Sequence, residues 1–301
     1  MGCLVYSDDY YADIGGHVFP MEKFALTRQF LLESGTAVAS DFVAPVAATD
    51  EEVRRVHTAE YVAKLKEGRL SREEILVLEL PYSRELVRAS WLTAGGTITA
   101  CRLALGHGFG GNLAGGFHHA FADHGEGFCV LNDIAIGIRA MLAEGQIERA
   151  AVLDLDVHQG NGTAALFAGE PRVFTCSIHQ ERNYPAVKPP SDLDLGLRDG
   201  ADGGEYMMAL EEALTATLAS RPALLVYVAG ADPYAGDQLG GLALSIADFA
   251  DRDERVFGAA AAAGVPVAVV PAGGYAADVR DTVRIHAETF RRGLALVEDR
   301  A

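Results

Sequence analysis

Six short apolar runs, interleaved with stretches of helical spacing, restrict this chain more than any other feature of it. The runs, rich in Val, Leu and Ala, cover residues 3–6, 111–114, 150–157, 173–178, 223–229 and 265–271. Each has strand length, and most lack the in–out alternation of a strand with one wet face. That is the pattern of strands buried on both sides, as in a parallel sheet. Residues 19–34, 83–105, 130–143, 205–219, 246–263 and 277–297 place apolar side chains three and four apart, as amphipathic helices do. Parallel strands need crossover connections, and helices supply them, so the expectation is an α/β fold with a multi-stranded, mostly parallel sheet flanked by helices. The loop-rich stretch 183–204 is too short to separate domains, so residues 1–301 read as a single domain.

Composition narrows the function. With 42 acidic and 25 basic residues the formal net charge is −17, which argues against a general nucleic-acid binder. Apolar runs of about ten residues are too short to span a bilayer. The segment MGCLVYSDDYYADIGG has neither a basic start nor a long apolar stretch, so no signal peptide is expected and the location expected is cytoplasmic. The four cysteines are scattered, with no CxxC. The 33 glycines of 301 residues are about 11%, against a typical ~7%. Many fall just after the apolar runs, at Gly115, Gly116, Gly160, Gly162, Gly230, Gly236, Gly240, Gly241, Gly273 and Gly274. Ligands of open α/β sheets bind beyond the carboxyl ends of the strands, so these loops are the place to look for a site.

Four segments there carry chemistry. GGFHH sets His118 and His119 side by side, and imidazole is the usual general base near neutral pH, though a surface pair would look the same. In DLDVHQGN, Asp154, Asp156 and His158 fall on one face of an extended segment. Two carboxylates and an imidazole together at the end of an apolar run call for a cation. Asp232, after the run at 223–229, offers a further oxygen or serves as a helix cap. Three protein donors with an open position fit a catalytic zinc site, and the absence of a thiolate leaves Fe(II) or Mn(II) open as well. Tyr275, after Gly273 and Gly274, either donates to an oxyanion or simply packs.

GGFHH, GEGFCVLND, DLDVHQGNGT, AGADPYAGDQLGGL and PAGGY, in that order and together with VHTAEYV, resemble the zinc-dependent histone deacetylase superfamily over residues 6 to about 286. HQGNG and GGTITA are most similar to its class IV, histone deacetylase 11-like branch. The resemblance implies the arginase–deacetylase fold and hydrolysis of acyl-lysine in a protein or peptide, with long-chain acyl groups included for class IV. Matched residue by residue, it implies Asp156, His158 and Asp232 as Zn2+ ligands, His118 and His119 as the tandem histidines, and Tyr275 as the transition-state tyrosine. Asp154 would orient His118. Asn161 stands where many relatives have an aspartate beside the second histidine, which should lower the basicity of His119. Gly127, Phe128, Tyr184, Leu239, Gly273 and Gly274 would form the acyl-lysine tunnel, and Asp154, Asp156, His158, Ser177 and Ile178 a structural K+ site.

Two departures bear on substrate. HVFPMEKF lacks the arginine of class I relatives, with Lys23 near that place, and Leu239 replaces the glutamate of the polyamine deacetylases. The competing readings are an acetylpolyamine or other small-molecule amidohydrolase, a binuclear manganese hydrolase, and a catalytically silent acyl-lysine binder. No membrane or direct nucleic-acid partner is expected. His17, His107, His124 and His286 read as surface or helix-end residues, His57 as a structural hydrogen-bonder, His179 as a rim residue, and Cys129 and Trp91 as packing.

Overall fold

In the computed structural model, which describes residues 2–298, eight strands form one parallel sheet. They are β1 (Leu4–Val5), β2 (Phe42–Val43), β3 (Phe109–Asn112), β4 (Ala150–Asp154), β5 (Val173–Gln180), β6 (Leu193–Leu197), β7 (Leu224–Val228) and β8 (Val267–Val270). Their order across the sheet is β2-β1-β3-β8-β7-β4-β5-β6. The uninterrupted apolar runs at β4, β7 and β8 are wholly buried, as their lack of alternation requires. The α/β expectation holds.

The helices are α1 (Lys23–Glu33), α2 (Asp50–Arg54), α3 (Ala59–Glu67), α4 (Arg72–Leu78), α5 (Arg84–His107), α6 (Asp133–Ala143), α7 (Asn161–Phe167), α8 (Gly203–Ala219), α9 (Ile246–Ala263) and α10 (Val279–Glu298). Side chains alternate across a strand. A Cβ at Gly110 of β3 would point at the Ala100 carbonyl of α5, and one at Gly111 at Phe290 of α10. Helices α5 and α10 therefore cover opposite faces of the sheet, and the glycines let both approach closely. No helix of the described residues is long and apolar enough to cross a membrane.

Several boundaries differ from the sequence reading. Strand β6 lies inside 183–204, read as loop; its burial alternates along Leu-Asp-Leu-Gly-Leu, as suits an edge strand. Strand β3 begins two residues before the expected 111–114, because Gly110 and Gly111 carry no apolar side chain to mark it. Strand β4 stops at Asp154 rather than residue 157, so Asp156 and His158 stand beyond its end rather than on its face. The short α2, α3, α4 and α7 were not anticipated from apolar spacing. The first three announce themselves instead by caps: Thr49, Thr58 and Ser71 accept the backbone N–H groups of Glu52, Tyr61 and Glu74.

The chain runs outward from β4 to β5 and β6, then returns to β7 and β8 on the other side of β4. The β4/β7 boundary is thus the point where strand order reverses, and a crevice opens beyond the carboxyl ends of such neighbours. The residues after β4 and β7 meet there.

Candidate active site and metal centre

Asp156 and His158 follow β4 and Asp232 follows β7, and one donor atom from each lies within 4.8 Å of the others, all buried. Backbone groups brace the carboxylates. Asp156 Oδ1 accepts from His158 N–H at 2.9 Å and its Oδ2 from Gly273 N–H at 2.8 Å. Asp232 Oδ1 accepts from Val157 N–H at 2.9 Å. Asp232 Oδ2 is buried and accepts no hydrogen bond. His158 Nδ1 lies 3.0 Å from Asp156 Oδ1 and 3.3 Å from Asp232 Oδ2. A Cβ on Gly273 would come within 2.0 Å of Asp232 Oδ2 and 2.5 Å of Asp156 Oδ2, so only glycine lets this backbone run beneath both carboxylates.

Burial and the neighbouring Asp156 charge push Asp232 up to about 7. Burial alone would depress His158, but Asp156 and Asp232 outweigh it and raise the imidazole to about 10. Such a set binds a proton strongly, and a divalent cation competes for the same donors. The orphaned oxygen, the braced carboxylates and the substituent-free Gly273 fit a metal ion.

The tandem histidines follow β3. Asp133, at the start of α6, holds their turn by accepting from the N–H groups of Phe117 at 2.8 Å and Gly116 at 3.1 Å. His118 and His119 stack with ring centroids 4.1 Å apart yet differ in wiring. His118 Nδ1 meets Asp154 Oδ2 at 2.7 Å, and its Nε2 is 3.7 Å from Asp156 Oδ1. His119 Nδ1 meets Asn161 Oδ1 at 2.6 Å. Burial lowers both, but the Asp154 and Asp156 charges carry His118 up to about 9. His119 has no such compensation and falls well below the usual imidazole value, through burial first and then the charges of His118 and His158. The Asn161 hydrogen bond and the Asp156 charge raise His119 without offsetting its burial.

Tyr275 is buried, its ring 6.0 Å from those of both Phe19 and Phe128. Its phenol is pushed well above the usual range by burial and by the Asp156 and Asp232 charges, so it stays a donor. Lys23 lies beneath, with Nζ 5.4 Å from the Tyr275 ring centre and donating to the Ala272 carbonyl at 2.7 Å. Burial pushes this fully enclosed amine down to about 8.

Among the expected tunnel residues, Tyr184 stands edge-on to His119, centroids 4.9 Å apart. Gly127 fits between them, where a Cβ would meet His119 Cδ2 at 2.9 Å and Tyr184 Cε1 at 3.0 Å. Phe128 packs against His17 and Tyr275 from a left-handed backbone, φ 66°. Such strain in a non-glycine residue recurs at functional sites. Half-buried Leu239 joins this side through its carbonyl, which accepts from Asn183 Nδ2 at 2.9 Å. Gly273 lies under the Asp156 and Asp232 carboxylates, and Gly274 faces Ala231, Thr282 and His286. Ser177 and Ile178 are buried on β5, Ser177 opposite Asp154 in register.

Two histidine readings are corrected. His286 is wholly buried within α10, since that helix packs on α1 and α9 and the position faces inward. His179 is buried beside Ser177 Oγ at 3.0 Å rather than at a rim. His57 is the structural hydrogen-bonder expected, bridging Phe121 O and Asn132 N–H at 2.8 and 3.0 Å. Three carboxylates that hold the site, Asp133, Asp237 and Glu126, were not singled out in the sequence. All three lie inside the quoted glycine-containing motifs; Asp133 and Asp237 accept backbone N–H groups, whereas Glu126 accepts from the side chains of Asn161 and Tyr184.

Comparison with known proteins shows the family and the fold. The histone deacetylase domain model matches residues 17–290, and the chain belongs to that family. It is 41% identical over 290 residues to an uncharacterized protein of Picosynechococcus sp., covering 96% of this chain and 97% of the relative. It is 30% identical over 309 residues to histone deacetylase 2 of Arabidopsis thaliana, covering 97% of this chain and 79% of the relative. The crystal structure of the HDA15 HD domain superposes with a TM-score of 0.80 at 20% identity, covering 99% of this chain and 94% of that one.

Proposed function

We propose that this protein is a metal-dependent lysine deacylase that hydrolyses the side-chain amide of acyl-lysine in a peptide or protein. The observation that carries the reading is the pair of differently wired imidazoles beside one three-donor acidic site, His118 on Asp154 and His119 on Asn161. Zn2+, or alternatively Fe2+, suits two carboxylates and one imidazole. Asp156, His158 and Asp232 would hold the ion, which when bound supplies Lewis-acid polarisation of the amide carbonyl. A structural K+ held by Asp154, Asp156, His158, Ser177 and Ile178 belongs to the same reading.

The remaining chemistry falls to the protein's own groups. Neutral His119 takes a proton from the attacking water and returns it to the lysine nitrogen as the C–N bond breaks. His118, charged and anchored by Asp154, offsets negative charge developing at the carbonyl oxygen. Tyr275 donates its phenolic hydrogen to that oxygen. Tyr184 and Phe128 flank the lysine stem and keep water from it.

Leu239 in place of a carboxylate favours a peptide over an acetylpolyamine, because a polycationic amine gains nothing from it. The test is turnover of acetyl-lysine and octanoyl-lysine peptides and of acetylspermidine by zinc-loaded protein. An acyl-lysine peptide is expected to be turned over faster than acetylspermidine, with the two peptides together giving the acyl-length preference; preference for acetylspermidine would replace the reading with a polyamine amidohydrolase.

A further inference from the structure

One half-buried carboxylate joins the two sides of the site. Glu126 Oε1 accepts from the side-chain amide nitrogen of Asn161 at 2.7 Å and from the phenol of Tyr184 at 2.5 Å. The other end of the Asn161 amide meets His119 Nδ1 at 2.6 Å. The Glu126 backbone is itself pinned, exchanging hydrogen bonds with Cys129 at 3.1 and 2.8 Å. Its Oε2 lies 3.5 Å from His124 Nε2.

An amide side chain accepts at one end and donates at the other, whereas a carboxylate only accepts. Facing Glu126, Asn161 must therefore present its NH2, and this turns its oxygen toward His119. An oxygen 2.6 Å from Nδ1 requires the ring hydrogen on Nδ1 and leaves a lone pair on Nε2, the atom free to take a proton. An aspartate at this position would enforce that tautomer unaided. Asparagine cannot, because flipped it would place NH2 against Nδ1 and drive the hydrogen to Nε2. Burial and then Glu126 push the Tyr184 phenol far above its ordinary value, so Tyr184 donates to the carboxylate.

We propose that Glu126 is a positioning residue that fixes the amide orientation of Asn161 and, through it, the Nδ1–H tautomer of His119, while anchoring the tunnel wall through Tyr184. This deepens the reading above and rests on it in one respect, the assignment of proton transfer to His119.

The test compares wild type, Glu126→Gln and the double variant Glu126→Gln/Asn161→Asp. Kinetics use zinc-loaded protein with acetyl-lysine peptide, and the ring 15N resonances of His119 are read in metal-free protein. Glutamine can set either its oxygen or its NH2 against Asn161, so the enforced orientation is lost. Glu126→Gln is expected to lower kcat roughly 10–100-fold with KM little changed, and to mix Nε2–H character into His119. Adding Asn161→Asp is expected to restore both the Nδ1–H tautomer and most of kcat, a rescue that a purely structural role for Glu126 would not give. An unaltered tautomer in Glu126→Gln, or a loss of turnover that Asn161→Asp does not recover, overturns the proposal. Should wild type cleave no acyl-lysine, the proposed function fails while the 15N resonances still decide the role of Glu126.

Discussion

Asp237 Oδ2 accepts the backbone N–H of Tyr275 at 2.6 Å, while its Oδ1 accepts those of Leu239 and Gly240 at 2.8 and 2.9 Å. One carboxylate thus ties the loop after β8, which carries the candidate oxyanion donor, to the loop after β7, which carries Asp232. Asp237→Ala is expected to lower kcat roughly 10–100-fold, the usual range for a group that orients a working residue. Zinc content of zinc-loaded protein, measured by mass spectrometry, should remain that of the wild type, because Asp237 is not one of the three candidate donors. Loss of zinc along with activity would show that the loop, rather than Tyr275 alone, depends on it.

Arg252 is wholly buried, with Nε donating to Asp253 Oδ1 at 2.9 Å and Nη1 to the Gly230 carbonyl at 2.6 Å. Asp253 also accepts from the hydroxyls of Tyr227 and Thr289. Removing the guanidinium leaves a buried carboxylate without its countercharge, so Arg252→Met is expected to cost about 3–5 kcal/mol in urea unfolding. Adding Asp253→Asn should recover part of that loss. A single variant within experimental error of wild type would contradict the role given to the pair.

His57 makes the stability acid-sensitive. Its Nε2 accepts from Asn132 N–H, so a second ring proton has no acceptor there, and burial pushes the imidazole down from 6.5 to about 4. The unfolded chain takes this proton below pH 6.5 and the folded protein only below about 4. Across that window the proton favours unfolding, so this contribution to stability falls as pH drops from 6.5 to 4. His57→Gln is expected to be less stable at pH 7 yet to lose less stability than wild type between pH 6.5 and 4, measured as unfolding free energy in urea. Parallel pH profiles for the two proteins would contradict this.

The central sheet was legible because β4, β7 and β8 are continuous apolar runs, and burial on both faces leaves no other pattern. The apolar run at 3–6 located the two-residue β1, whereas β2 carries too little sequence for periodicity to place, and the glycines of β3 hide its start. In the site, Asp156, His158 and Asp232 were visible because charge at the end of an apolar run needs a partner. Asp133, Asp237 and Glu126 were not, since each works by accepting hydrogen bonds from groups distant in sequence. The glycine excess was informative for a physical reason: at Gly273 and Gly127 any side chain would occupy the space of a carboxylate or a ring.

The most direct test is product analysis for zinc-loaded wild type and His119→Ala with an acetyl-lysine peptide. Wild type is expected to release acetate and free lysine amine in equal amounts over repeated turnovers. His119→Ala is expected to bind the peptide and retain its zinc but to release almost no acetate. Peptide binding by wild type without product, or undiminished turnover in His119→Ala, would contradict the assignment of proton transfer and with it the account of this site.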